Sequence, residues 1–307
     1  MSDLRQISQA RSATTLAWVG VGVLAVSLSG PLMAAATAVP ALAMAFWRSG
    51  LGAVALIGPA IARKEELRRL SREQVRQCCL AGVMLAAHFA TWVSSLTYTS
   101  VASATALVCL QVGWVVLLAR LSGERPSSQV WAGLAVALVG VLVVSGVDFT
   151  ISSRALLGDG LALLGGIFAA VYTITGGKAR EGMSTTAYTS ICYSTSAVVL
   201  LAGAALSGVR LWGYDARSWL LIVAVTVVAQ LLGHSVFNHL LATISPTVVS
   251  LTLLLEVPGA ALLAGVLLGQ APPTAVYGGL GLICLGLALV VRARSRAAES
   301  PREAPFD

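Results

Sequence analysis

Residues His88–Val116 read HFATWVSSLTYTSVASATALVCLQVGWVV, and residues His234–Leu262 read HSVFNHLLATISPTVVSLTLLLEVPGAAL. The two stretches align without a gap, and the register holds through Val144 and Val290. His88 falls on His234, Thr97 on Thr243, Leu107 on Leu253 and Gly113 on Gly259. Further on, Gly123 falls on Gly269, Pro126 on Pro272, Gly133 on Gly279 and Gly140 on Gly286. Both copies are apolar, and each is long enough for about three membrane crossings at roughly 20 residues per crossing. An odd number of crossings turns the second copy upside down relative to the first, and inverted copies place a site between them near mid-membrane.

Composition agrees. The chain of 307 residues is 57% hydrophobic and 11% charged, with a mean hydropathy of +0.85; soluble domains carry roughly a quarter charged residues. Charge-free runs cover 12–47, 77–119, 126–147, 160–177, 182–209, 218–255 and 257–291. Divided at Pro, Gly and charge, they give ten helices at about 15–36, 41–62, 75–97, 102–121, 128–147, 157–176, 187–206, 217–240, 247–268 and 273–292. The expected fold is an all-α polytopic membrane protein, ten transmembrane helices in a 5+5 inverted-topology repeat. Its parts are an N-terminal cytoplasmic segment (1–14), a first five-helix repeat (15–147), an external linker (148–156), a second repeat (157–292) and a disordered cytoplasmic tail (293–307). The first helix lacks a small-residue cleavage site and reads as a retained span.

Lys and Arg set the orientation. With a cytoplasmic N-terminus, the inner segments hold Arg5, Arg11, Arg63, Lys64, Arg68, Arg69, Arg72, Arg76, Arg120, Arg125, Lys178, Arg180, Arg292, Arg294, Arg296 and Arg302. The outer segments hold only Arg154, Arg210 and Arg217. Both termini are then inside, and the net charge of +7 follows from topology. Arg63–Arg76 is interleaved with Glu65, Glu66 and Glu73, so it reads as a cytoplasmic loop rather than a nucleic-acid patch. The five cysteines (Cys78, Cys79, Cys109, Cys192 and Cys284) show no metal spacing and read as free apolar thiols.

Polar groups inside the spans carry the functional signal, because charge at that depth costs several kcal/mol and marks a cavity or a partner. Glu256 lies near mid-depth in the ninth helix, just before Val257-Pro258-Gly259, where proline kinks the helix. Gln230, His234 and Asn238 are spaced by four, which stacks them on one helix face. His239 lies off that face. His88, Trp92 and Ser95 form a similar set in the third helix. Arg48 is free to snorkel outward, to pair with Glu256 or to bind an anionic group, while Trp47 beside it reads as packing. Gln111 matches Val257 of the second copy. Ser29-Gly30-Pro31 breaks the first helix, and Tyr172-Thr173-Ile174-Thr175-Gly176-Gly177 is the matching polar stretch in the sixth; interrupted segments in both halves point to the site. Asp159 reads as a first-turn acid of the sixth helix. The candidate substrate-binding set is therefore Ser29, Pro31, Arg48, His88, Trp92, Gln111, Tyr172, Gln230, His234, Asn238 and Glu256.

At these residues the chain resembles the drug/metabolite transporter superfamily, EamA-type branch, over nearly its whole length. The resemblance rests on Phe46-Trp47-Arg48, on Ser95-Leu96-Thr97-Tyr98-Thr99-Ser100-Val101-Ala102 and on Gly123-Glu124-Arg125-Pro126. It continues in Gly158-Asp159-Gly160-Leu161-Ala162-Leu163-Leu164 and in Leu255-Glu256-Val257-Pro258. The first copy lacks the proline usual near Gln111-Val112, and Gln270 stands where the second loop ordinarily has glutamate. The resemblance implies a 5+5 carrier with a central cavity lined by helices 1, 3, 4, 6, 8 and 9, moving small metabolites, often amino acids, out of the cell or down their gradients.

The functional expectation is a multi-pass cell-membrane carrier working by alternating access, an amino-acid or related metabolite exporter or facilitator. A proton-coupled exporter of drugs or cationic compounds is the alternative within the class, and a non-transporting scaffold or receptor the remote one. An enzyme is not expected: His234 and His239 are five apart, and no HExxH is present. No cofactor or metal is expected. The expected partners are a small-molecule substrate and the lipid bilayer, not nucleic acid, with a homodimer left open. Reporter fusions after Arg72 and Arg296 are expected to read cytoplasmic and one after Asp148 periplasmic; a periplasmic reading at Arg296 would overturn the helix count.

Overall fold

The computed structural model describes residues 2–123, 126–146, 152–270 and 274–299. These residues form helices and connecting turns, with no strand among them. Seven helices are long and apolar enough to cross a membrane. They are α1 (Ala13–Ala35), α3 (Arg72–Ser95), α4 (Val101–Leu121), α6 (Ser153–Ala179), α7 (Thr185–Leu206), α8 (Ala216–Leu240) and α9 (Pro246–Leu268). Three shorter apolar helices complete the order: α2 (Ala41–Ala55), α5 (Ser128–Val143) and α10 (Val276–Val290).

The helix starts are written locally. Ser71, Ser100, Ser152, Ser184, Asp215 and Ser245 each cap a helix by accepting a bond from a backbone N–H of its first turn. Ser71 and Gln74 form a reciprocal capping box, and Pro246 occupies the first turn of α9, where its missing N–H costs nothing. Gly123 and Gly269, matched in the repeat, follow α4 and α9 at φ of 98° and 67°, a region that suits glycine.

Several boundaries differ from the sequence reading. The second helix was expected over 41–62, but the chain breaks at Leu56 and resumes as Ile57–Ala62, ahead of Pro59. A further short helix, Lys64–Arg69, follows. The first helix already begins at Ser2, and the last continues to Glu299, into the expected tail. The sixth begins at Ser153 rather than 157, so Asp159 sits in its second turn and Ser152 is the cap. Arg154 ties this start to the end of α3, donating to the Thr97 carbonyl at 3.0 Å and lying over the Tyr98 ring.

Packing follows a pattern of exchange between the matched stretches. α3 packs on α6 as α8 packs on α1; α4 packs on α6 as α9 packs on α1; α3 packs on α7 as α8 packs on α2. Three further contacts join equivalent helices directly: α2 with α7, α4 with α9 and α5 with α10. The last is the closest. A Cβ added at Gly140 would lie 2.6 Å from the Gly279 carbonyl oxygen, and one at Gly286 would lie 2.5 Å from that of Gly133. Gly133 thus meets Gly286 while Gly140 meets Gly279, so α5 and α10 run antiparallel with backbones in contact. Small residues that let backbones approach are how helices associate without a hydrophobic drive.

On the loop side, Glu66 accepts a 2.6 Å bond from the backbone N–H of Ser184, joining the α2–α3 connection to the start of α7. Partial burial works to raise the Glu66 carboxyl, but the Ser184 bonds and neighbouring Arg63 outweigh it and hold the group below the usual carboxylate range. A depressed acid stabilises the fold above its unfolded pKa, so this clasp weakens as acid protonates Glu66.

Gly286→Val is expected to destabilise the protein by about 1–3 kcal/mol through overpacking, read as a lower thermal midpoint in detergent. Gly278→Ala, where a Cβ meets nothing within 4 Å, is expected to leave the midpoint in place. Equal midpoints for the two variants would mean that α5 and α10 do not meet as closely as described.

Candidate functional site: a buried polar cavity

The cavity lies where α1, α3, α4, α6, α8 and α9 converge, and eight of the expected residues border it: Ser29, His88, Trp92, Gln111, Tyr172, His234, Asn238 and Glu256. Pro31, Arg48 and Gln230 do not. The volume open to the centre of a water molecule is about 50 Å³. At roughly 10–15 Å³ for one water, that is room for a few waters and too little for a metabolite.

Two helix interruptions shape the walls. α1 breaks at Leu28, between Ser27 and Ser29. Ser29 borders the cavity there, whereas Pro31 is buried against neighbouring helices and shapes the break instead. α9 tightens to a 3₁₀ turn over Leu253–Leu255 immediately before Glu256. Pro258 has no N–H for the carbonyl four residues back, so the preceding turn closes more tightly. Gly259 lies directly against Ser27 Oγ, bringing the two interrupted segments together. Glu256 thus enters the cavity wall opposite the break in α1, and Gln111 joins the wall from α4.

α8 departs furthest from the sequence expectation. Thr226–His234 is a π-helix. A spacing of four nearly completes an α-helical turn but falls short of a wider π turn, so the three-residue stripe splits. His234 and Asn238 face the cavity, while Gln230, 0% exposed, turns to Arg48. The Gln230 carbonyl is held by the backbone N–H of Ser235, by the Ser235 hydroxyl at 3.2 Å and by the Tyr193 hydroxyl at 3.4 Å. Asn238 continues the network: it accepts from Tyr172 Oη at 2.7 Å and donates to Tyr193 Oη at 3.3 Å.

Arg48 does not snorkel; it is 0% exposed. Its Nε donates to Gln230 Oε1 at 3.0 Å, and Nη1 reaches Ser29 Oγ at 3.5 Å. The guanidinium lies 3.9 Å over the Phe89 ring. No carboxylate comes within ion-pair distance of it among the described residues, although Glu256 is within electrostatic reach. Arg48 Nη2 and Gln230 Nε2 have no hydrogen-bond partner among the described residues. Trp47, beside it, is packing as expected: it meets Trp212 at 4.5 Å and Trp219 at 5.0 Å and donates to the Leu211 carbonyl.

The two matched histidines meet at the cavity, with ring centroids 6.3 Å apart. His88 Nδ1 lies 3.0 Å from the Gly165 carbonyl oxygen. A carbonyl only accepts, so Nδ1 carries a proton in this contact. His88 also stacks on Trp92, and His234 meets Phe89 edge-on. Trp92 Nε1 is buried without a partner. The remaining lining includes Val26, Val108, Phe237, Leu241 and Leu253. Apolar residues of this kind look the same in sequence whether they face a cavity, a helix or lipid. Tyr193 and Ser235 were missed as well, since only the π turn gives their hydroxyls a carbonyl to cap.

The comparisons with known proteins agree with this architecture. The model of the EamA-like transporter family matches residues 13–146 and again 156–292. No curated protein matches the chain. A solved structure, described only as the crystal structure of a protein, superposes with a TM-score of 0.73 over 94% of this chain and 99% of its own, at 20% identity, which shows the fold alone. Two matches covering nearly the whole chain, each holding one of the paired histidines, establish that this protein belongs to the EamA-like transporter family of the drug/metabolite transporter superfamily.

Proposed function

We propose that this membrane transporter is a secondary carrier of small zwitterionic metabolites, of the amino-acid type, working as an exporter or facilitator by alternating access. The observation that carries the proposal is a central cavity with one carboxylate in its wall, Glu256, and one guanidinium behind it, Arg48, with no direct pair between them. The donors Arg48 Nη2 and Trp92 Nε1 have no acceptor among the described residues. A solute bearing an ammonium and a carboxylate answers both ends without leaving a net charge at mid-membrane, where it would cost several kcal/mol. Trp92, Tyr172 and Phe237 supply the walls for an apolar side chain.

In this reading all ten helices cross the membrane as two inverted five-helix repeats (15–147 and 157–292) with both termini cytoplasmic. The antiparallel α5–α10 contact, the exchange of helix partners and the meeting of His88 with His234 support the inversion. The small cavity corresponds to a closed stage of the cycle, which must widen to load a solute.

A second reading has a specific basis. Glu256 shares the cavity lining with Trp92, Tyr172 and Phe237, and aromatic faces with a carboxylate also suit an organic cation. Proton-coupled export of cationic compounds would then use Glu256 alone and leave Arg48 as structure.

Counterflow into proteoliposomes separates the two. Glu256→Gln is expected to lower counterflow of a neutral amino acid at least about tenfold, a transition-state loss of roughly 1.4 kcal/mol, while yield and insertion stay unchanged. If Glu256 also carries the coupling proton, the variant spares exchange and loses uptake driven by a pH gradient. Wild-type rates in both assays would reduce Glu256 to a hydrogen-bonding residue; cation counterflow that survives Arg48→Gln would favour the second reading.

A further inference from the structure

A second cavity, of about 430 Å³ against about 50 Å³ for the first, lies among the C-terminal ends of α4 and α6 and the turn from α8 into α9. By the charge distribution these ends face the cytoplasm. Unlike the first, this space is large enough for a metabolite. Its wall carries one cation, Lys178, and one anion, Glu181, together with the hydroxyls of Ser122, Thr243 and Thr247.

The two charges stand open. Three other cation–carboxylate pairs three residues apart close into ion pairs: Arg63 with Glu66, Arg68 with Glu65 and Arg76 with Glu73. Lys178 and Glu181 have the same separation, but no ion pair joins them, and neither has an ion-pair partner among the described residues. Glu181 lies beyond the end of α6 and its cap Arg180, so helical spacing no longer brings the two side chains together.

One side chain belongs to both cavities. Leu241, the cap residue of α8, lines the central cavity and the second one alike, and is 7% exposed. Its Cδ1 lies 3.5 Å from where a Cβ of Gly176 would be. Leu241 thus packs on α6 beside Gly176, whose bare backbone makes room for the Tyr188 hydroxyl.

We propose that the second cavity is a loading site for zwitterionic metabolites, with the carboxylate held at Lys178 and the ammonium at Glu181, and that Leu241 is the partition that moves aside to pass the solute to the central cavity. The proposal rests on the carrier reading above for its direction of passage. Binding at the loading site itself does not require transport.

The test reads binding and passage separately from flux. Ala242→Cys, which lines the second cavity, is introduced into a chain with Cys79→Ser and Cys284→Ser and labelled with a membrane-impermeant maleimide. Glycine, L-leucine or L-phenylalanine at a concentration about twice its Kd is expected to slow labelling roughly threefold, from the factor 1 + [L]/Kd. Lys178→Glu or Glu181→Lys alone is expected to abolish the protection, and the double reversal to restore it. No protection by any of the three, or single reversals that behave as the double does, overturns the site. For the partition, Thr173→Cys in the central cavity is labelled with and without Leu241→Ala, and labelling is expected to be about tenfold faster with alanine, equivalent to removing roughly 1.4 kcal/mol of closure. Equal rates overturn the role of Leu241. Wild-type counterflow of the three amino acids is measured in parallel. Protection without counterflow would refute the carrier reading and leave the loading site standing; counterflow without protection would do the reverse.

Discussion

A guanidinium sealed away from water must be satisfied by whatever the fold brings to it, and Arg48 is sealed completely. A charge in such a place costs several kcal/mol if left alone. It is met by the amide oxygen of Gln230 from α8, by Ser29 from the break in α1 and by the face of Phe89 from α3. Four helices, including α2 that carries it, are thereby fixed around one side chain. Three of these partners sit next to the cavity or in its wall: Ser29 borders it, Phe89 packs on His234, and Gln230 is four residues from His234. The arrangement of the site and the burial of this one charge are a single problem with a single solution.

The π turn of α8 belongs to that solution. It swings Gln230 out of line with His234 and Asn238, so one helix serves the buried arginine and the cavity at once. α3, the matched helix of the first copy, is a regular α-helix over Arg72–Ser95. Equal lengths of sequence are thus wound differently in the two halves. At the position matching Ser235 the first copy has Phe89, with no hydroxyl to hold a widened turn open. The halves share a plan and differ where the polar residues are spent.

Much of this was legible in the sequence. The gap-free repeat and the apolar runs give the helix order; depth picks out Glu256, and helical spacing together with the repeat picks out His234 and His88, all of which border the cavity, whereas Gln230, equally deep by residue count, does not. The split of the Gln230 stripe was not legible, because a spacing of four implies one face only if the helix is α throughout. The fate of Arg48 was not either: snorkelling, pairing and burial all fit the same residue at the same depth, and only the three-dimensional positions of Phe89 and Gln230 choose among them. The apolar lining has no sequence signal of its own, since valine and leucine are equally at home against lipid.

The glycine seam between α5 and α10 carries an evolutionary meaning. Gly133 meets Gly286 and Gly140 meets Gly279, and each contact is the other with the copies exchanged. That is the signature of a self-complementary, isologous interface. A lone five-helix unit bearing these glycines would present the same surface to a second unit inserted the other way up. Joining two such units in one polypeptide would turn a chance encounter of oppositely inserted partners into a fixed pair and would free each copy to carry its own substitutions. Leu110 opposite Glu256 and Gln111-Val112 opposite Val257-Pro258 mark where the two copies differ.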